Sequence, residues 1–158
     1  MEYNNPFMLG RIKEVQGCAS RPHSSDNRSI ITINSISGNY EGVEGNIPIA
    51  KVYPKAKEEY RRWWRNKQGF KLGEFQTTQV RSDTEIANVL ICITEDDTTD
   101  VIEEDAVKTG LDKLGRYLSQ NKLNAHINKL PGEEAWATVE AGLKEHLVKR
   151  GVNVTVYV

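Results

Sequence analysis

Residues 30–48 constrain this chain more than any other stretch. Ile30, Ile31, Thr32 and Ile33 form a β-branched run, which favours a buried extended strand. Asn34 and Ser35 follow. The chain then passes through Gly38, Gly42 and Gly45 to Asn46, behind which residues 47–53 are predicted to start a helix. A strand, a glycine loop and a helix start, in that order, is how α/β sheets turn backbone N–H groups toward a phosphate. Plain connections also use glycine, so composition alone leaves both readings open.

The remaining bounds are mostly exclusions. A chain of 158 residues suits one domain with a real core, and residues 1–10 read as an N-terminal extension to it. With 21 basic and 22 acidic side chains the net charge is -1, so no global field draws in DNA, RNA or an anionic membrane. No apolar run is long enough to span a bilayer, and the first residues lack a basic stretch followed by an apolar one; the expected location is the cytoplasm. Cys18 and Cys92 are expected to be free thiols. His23, His126 and His146 form no spaced cluster, so neither a zinc site nor a cofactor is expected.

Taken in order, residues 12–16 alternate as a half-buried first strand, and 29–34 form an interior second one. Pro54 opens a helix whose Ala56, Tyr60, Trp63 and Trp64 repeat at helical spacing. Arg61, Arg62 and Arg65 read as its wet face, the acidic residues beside them cancelling a nucleic-acid patch. Residues 74–80 and 86–93 are strands around a hairpin-like turn at Arg81, Ser82, Asp83 and Thr84. Asn88, inside the more apolar of the two, reads as a satisfied core amide or a strand-end group and not as a catalyst. Residues 95–105 are strongly acidic. A divalent-ion site is one reading; the stronger is a solvated loop whose carboxylates favour the next helix N-terminus. That helix carries Val107, Leu111, Leu114 and Leu118. A short strand at 125–127, a loop at 128–134, a helix marked by Trp136, Val139, Leu143 and Leu147, an αL stop at Gly151 and a last strand at 152–158 complete the chain. Alternating strands and helices predict an α/β fold, a mostly parallel sheet with helices on both faces. Ligands in such folds sit beyond the carboxyl ends of the strands. There the loops after Gln16, Asn34, Ile93 and Ile127 would meet.

From about Ile12 to Val158 the chain resembles the macro domain family, of the bacterial and phage type related to ADP-ribose-1″-phosphate phosphatases. The residues that carry the resemblance are Gln16 through Pro22, Ile33-Asn34-Ser35-Ile36, Gly38, Gly42, Tyr53-Pro54-Lys55-Ala56 and Tyr60-Arg61-Arg62-Trp63. Lys71-Leu72-Gly73-Glu74, Ala87-Asn88 and Val152 through Tyr157 complete the set; order and spacing make it specific. The resemblance implies a three-layer α/β/α fold with a mixed, mostly parallel central sheet and a cleft for ADP-ribose or a similar nucleotide. It implies a first-loop aspartate for the adenine amine, where this chain has Cys18. It implies an asparagine for the distal ribose and hydrolysis, matched by Asn34, then an aspartate, replaced by Ser35. Gly38 and Gly42 match the first phosphate loop, interrupted by Tyr40 and Glu41. The second phosphate loop is shorter, with one glycine, Gly132, followed by Glu133 and Glu134, while Lys129 offers a compensating charge. Tyr157 matches an aromatic near the adenine.

These departures shape the functional expectation. The chain reads as a macro domain retuned or partly disabled for ADP-ribose, binding it or a related nucleotide with little or no hydrolysis. A cyclic nucleotide signal, sequestered in the host cytoplasm by a phage-encoded copy, is within that reading. The alternatives are an ADP-ribose-1″-phosphate phosphatase or de-ADP-ribosylase with Asn34 catalytic, and a protein-interaction domain with a vestigial cleft, possible self-association as a homodimer included.

Overall fold

A computed structural model describes residues 9–95 and 99–158. Most of the N-terminal extension, and Asp96, Asp97 and Thr98 of the acidic run, lie outside the described residues. The elements run β1 (Ile12–Val15), β2 (Arg28–Ser35), α1 (Asn46–Val52), α2 (Pro54–Asn66), β3 (Phe75–Arg81), β4 (Thr84–Glu95), β5 (Thr99–Ile102), α3 (Glu104–Asn121), β6 (Asn124–Asn128), α4 (Glu133–His146) and β7 (Val154–Tyr157). Short 3-10 turns at Tyr40–Gly42 and Val148–Arg150 complete the set.

The sheet order is β1-β7-β6-β2-β4-β3, and β5 also pairs with β4. β1, β7, β6, β2 and β4 run parallel, whereas β3 and β5 are antiparallel to β4. β4 spans twelve residues, and its outer edge is shared. β3 takes the first half through the hairpin at residues 81–84, and β5 takes the second half. The expected mixed, mostly parallel sheet between helical layers is therefore what forms. β5 is a correction: part of the acidic run, expected as loop, is a strand. Val101 and Ile102 explain it, since two β-branched residues beside an unpaired edge gain a ladder.

β2 lies between β6 and β4 and is buried throughout. Strand alternation sends Ile31 and Ile33 to the face under α3 and α4, with Val89, Ile91, Leu111, Leu114, Val139 and Leu143. Ile30 packs on the other face under α1 and α2, with Ile49, Ala56, Tyr60, Trp63, Ile86 and Leu90. Thr32 and Asn34 share that second face. The register of β2 against β4 slips between Asn34 and Ser35, which face Leu90 and Cys92. This irregularity bends the strand end where the cleft begins.

α3 begins with its N-cap Glu103 side chain accepting from the Ala106 N–H and ends at Lys122 in the left-handed region, φ 56°. It meets α4 at glycine. A Cβ built on Gly115 would land on the carbonyl oxygen of His146, and one on Gly142 would press into Leu111. Arg150 clamps the same crossing, donating from Nη1 to the Asp112 and His146 carbonyls at 3.0 and 3.1 Å and from Nη2 to Asp112 Oδ1 at 2.6 Å. Gly115→Ala is therefore expected to destabilise the protein by about 1–3 kcal/mol through overpacking. A urea unfolding midpoint equal to that of the wild type would contradict this.

Candidate functional site

The C-terminal ends of β2 and β4 open into a cleft of about 770 Å³, within the range of about 300–1,000 Å³ usual for small-molecule sites. Ile33 and Cys92 form its floor. Gly42, Val43 and Glu44 form one wall, and residues 130–135 form the other. Asp100, Val101, Ile102 and Glu104 close the end. Burial, reinforced by the Asp100 carboxylate, pushes the Cys92 thiol up to about 12, so it remains a protonated, inert part of the floor.

Two groups of backbone amides border this space. Gly132, at φ 92°, is the N-cap of α4 and makes no side-chain cap. The first intrahelical bond there is Trp136 N–H to Gly132 C=O. The N–H groups of Glu133, Glu134 and Ala135 thus have no acceptor among the described residues. In the facing loop, the Val43 and Glu44 N–H groups likewise meet no acceptor among the described residues. Orphan amides at a helix start favour an anion. The charged side chains oppose one: Glu44, Asp100, Glu104, Glu133 and Glu134 line the cleft, and no lysine or arginine does.

The first half of the glycine loop is closed. Gly38 is buried beneath the Trp64 indole, and its φ of 87° suits only glycine there. Its N–H donates to Tyr60 Oη at 3.0 Å, and its carbonyl accepts from Arg61 Nη1 at 3.0 Å. Tyr60 Oη also donates to the Ser35 carbonyl; burial pushes that phenol up to about 12. Ser37 N–H is held by Ser35 Oγ.

The expected site residues therefore separate. Gly42 and Gly132 border the cleft. Asn34 is fully buried, its Nδ2 donating to the Thr32 carbonyl and Oγ1 and its Oδ1 accepting from Asn46 Nδ2. Ser35 and Tyr40 are buried beside it, the Tyr40 ring 5.4 Å from that of Tyr60. None of the Asn34, Ser35 and Tyr40 side chains is part of the cleft lining. Neither Gly38 nor the half-buried Cys18 lines it either. Cys18 Sγ accepts from Ser20 Oγ at 3.1 Å. Lys129 pairs with Glu14 at 3.6 Å, outside the cleft lining. Tyr157 is 2% exposed and stacks on His126, its hydroxyl accepting from the His23 N–H. Asn88 is the satisfied amide expected: Oδ1 accepts from Thr32 Oγ1 and Nδ2 donates to the Ala56 carbonyl and Gln76 Oε1.

Three structural residues escaped sequence reading. Asn46 Nδ2 reaches the Ile33 carbonyl at 2.9 Å, Asn34 Oδ1 at 3.0 Å and the Tyr40 carbonyl at 2.9 Å, tying the loop to the strand end. Asn128 Oδ1 accepts from the Ala19 N–H at 2.8 Å and its Nδ2 donates to the Gly45 carbonyl at 3.3 Å, joining the first loop to the second. His126 contacts Asp26 Oδ2 through Nε2 at 3.1 Å and Tyr157 Oη through Nδ1 at 2.9 Å. The period-two alternation of β6 puts His126 and Asn128 on one face, a signal that becomes informative only once the neighbouring strands are known.

Comparison with protein-family profiles and with curated proteins finds no match. Solved structures do match. A protein from Bacteroides thetaiotaomicron is 25% identical, with a TM-score of 0.83 over 93% of this chain and 99% of its own. A macrodomain protein from Streptomyces coelicolor is 24% identical, with a TM-score of 0.84 over 94% and 99%. The chain has a macrodomain fold. A variant Oceanobacillus iheyensis macrodomain solved with ADPR has the same fold, at 16% identity and a TM-score of 0.67 over 99% and 88%. The cleft described above lies where the strand ends of this macrodomain fold open, and the fold agrees with the resemblance seen in the sequence.

The buried His126 adds a pH dependence. Burial lowers its pKa, and the facing charges divide: Asp26 raises it, Arg28 and Lys13 lower it. Burial also works against the Asp26 carboxylate, yet hydrogen bonds from Ser24, Asn124 and His126 hold it well below the usual carboxylate range. For His126 the unfolded chain binds the proton more readily. Its contribution is complete above about pH 6.5 and is lost as the pH falls below that value. For Asp26 the contribution is present above about pH 3.9 and is lost as the pH falls further. Urea unfolding is expected to show stability dropping between pH 7 and 5, with a shallower slope in His126→Gln. An identical slope in the variant would assign the dependence to other groups.

Proposed function

We propose that this macrodomain-fold chain binds ADP-ribose or a related nucleotide through its diphosphate, and hydrolyses it slowly or not at all. The observation that carries the reading is the pair of facing amide sets, Val43 and Glu44 across from Glu133, Glu134 and Ala135, on a cleft of nucleotide size. ADPR in the Oceanobacillus structure supports the same ligand class. Of the glycines that border the space, Gly132 has nothing within 4 Å of where a Cβ would lie and permits close backbone approach, whereas the Asp100 carboxylate lies beside Gly42. The Asn34 carboxamide, to which the family resemblance ascribes hydrolysis, is fully spent on Thr32 and Asn46, and this supports binding over turnover.

The acidic lining gives this proposal a distinctive signature. An anionic ligand held by amides and opposed by five carboxylates among the described residues binds more tightly when the carboxylates are screened or removed. Calorimetric titration with ADP-ribose is therefore expected to show affinity rising with added salt. The double substitution Glu133→Gln with Glu134→Gln is expected to tighten binding about two- to thirtyfold, the scale of two exposed charges at about 0.2–1 kcal/mol each. The wild type should release no phosphate from ADP-ribose-1″-phosphate above background, and Asn34→Ala should not change this. Absence of heat with ADP-ribose, its cyclic isomers and cyclic dinucleotides, in wild type and double variant alike, would end the binding reading. Native mass spectrometry of the purified protein would show a carried-over nucleotide and would also reveal a homodimer.

A further inference from the structure

A second concave site lies at the opposite end of the sheet. It has a volume of about 400 Å³ and sits where β2 and β4 begin, at Arg28 and Asp83, under the first loop and the end of α1. Along β2, Arg28 of this site and Ile33 of the cleft are five residues apart, about 17 Å at 3.3 Å per residue. Three arginines face it, Arg21, Arg28 and Arg81, with one carboxylate, Asp83. That is a local excess of positive charge on a chain whose net charge is -1.

The three arginines are not equally committed. Arg28 is 6% exposed. Its Nε donates to Asp26 at 3.1 Å, Nη1 to Thr84 Oγ1 at 2.8 Å with Asp83 at 3.5 Å, and Nη2 to the Ser24 carbonyl at 2.6 Å. A guanidinium has five N–H groups, so one hydrogen on this buried Nη2 has no partner among the described residues. Arg81 makes only a loose contact with Asp83, at 3.9 Å. The Arg21 side chain makes no hydrogen bond or ion pair among the described residues. The Ser25 hydroxyl and the Tyr53 phenol also line the space without hydrogen-bond partners there. Pro22 and Val52 supply an apolar edge.

We infer that this arginine-lined hollow between the first loop and the β3–β4 hairpin is a second ligand site that takes a phosphate group. Arg28 is a fixed, pre-oriented anchor, because a buried guanidinium held by four partners loses little freedom when it gains a fifth. Arg21 and Arg81 close on the anion from the exposed side as charge-assisted donors. Ser25 and Tyr53 supply neutral donors. Two sources fit this chemistry: free phosphate, which needs only the donors, and an organic phosphate, whose carbon skeleton would lie along Pro22 and Val52.

The test is a nuclear magnetic resonance titration of the ¹⁵N-labelled full chain with inorganic phosphate and, separately, with ribose 5-phosphate, against sodium chloride at matched ionic strength. The expected result is saturable shifts at Arg21, Ser25, Tyr53 and the Arg28 and Arg81 side-chain Nε–H groups, unaffected by saturating ADP-ribose. Tighter binding of ribose 5-phosphate assigns an organic phosphate; equal binding assigns free phosphate. The exposed pair Arg21→Gln with Arg81→Gln is expected to weaken binding by about tenfold or more, about 1.4 kcal/mol, with the rest of the spectrum unchanged. Arg116→Gln, on the far helical layer, should leave it intact. Shifts confined to residues 42–44 and 132–135, or the same response to chloride as to phosphate, would overturn the inference. Undiminished binding in the double variant would do so as well.

Discussion

One carboxamide holds the top of the molecule together. Asn46 Nδ2 carries two hydrogens and sits within 3.0 Å of three acceptors, from Ile33, Asn34 and Tyr40. All three acceptors belong to buried residues, where a polar group left unpaired costs about 1–3 kcal/mol. The link closes residues 34–46 into a loop anchored at both ends on β2. It therefore decides which peptide groups face the core and which face the cleft. It also draws Asn34 inward, so a residue that could serve a ligand serves the scaffold instead.

The loop so formed has two characters. Within residues 36–39 the Gly38 peptide is sealed by α2: Trp64 covers Gly38, Tyr60 bridges its N–H to the Ser35 carbonyl, and Arg61 takes its oxygen. The Lys57–Glu41 contact at 2.8 Å extends the seal along the surface. Residues 42–44 escape it and lie open to the cleft. The aromatic stripe of α2 is thus more than a core face, because its last member, the half-buried Trp64, caps a glycine. Arg61 and Lys67 lie within 5.0 Å of the same Trp64 ring, so the arginine-rich segment is partly spent on intramolecular contacts.

The layer order and most strands were legible in the sequence because their signals are local. The β-branched run of β2, the apolar run of β4 and the helical spacing of Leu111, Leu114 and Leu118 each need only their own neighbours to be read. β5 was not legible, because four residues in an acidic run become a strand only when β4 offers an open edge. The site was legible in part. Gly42 and Gly132 both border the cleft, and at Gly132 the φ of 92° is one that glycine adopts readily, which is a property of the residue itself. The burial of Asn34, Tyr40 and Tyr157 depends on partners 12, 20 and 31 positions away, Asn46, Tyr60 and His126, and spacing along the chain carries no such information. The same holds for Asn128, whose role joins residues 19 and 45.

The crossing of α3 and α4 at Gly115 leaves no clearance between their backbones. A helix seated that closely has little room to slide or roll, and Arg150 ties the same crossing. α4, whose start carries one set of orphan amides, is thus fixed at its C-terminal end. The opposite wall of the cleft is pinned as well: the Gly42 N–H donates to the Asn39 carbonyl, and the Val43 and Glu44 carbonyls accept from the Asn46 and Ile47 N–H groups. Guests of different girth then meet two backbone walls whose spacing is set by the scaffold and not by the guest.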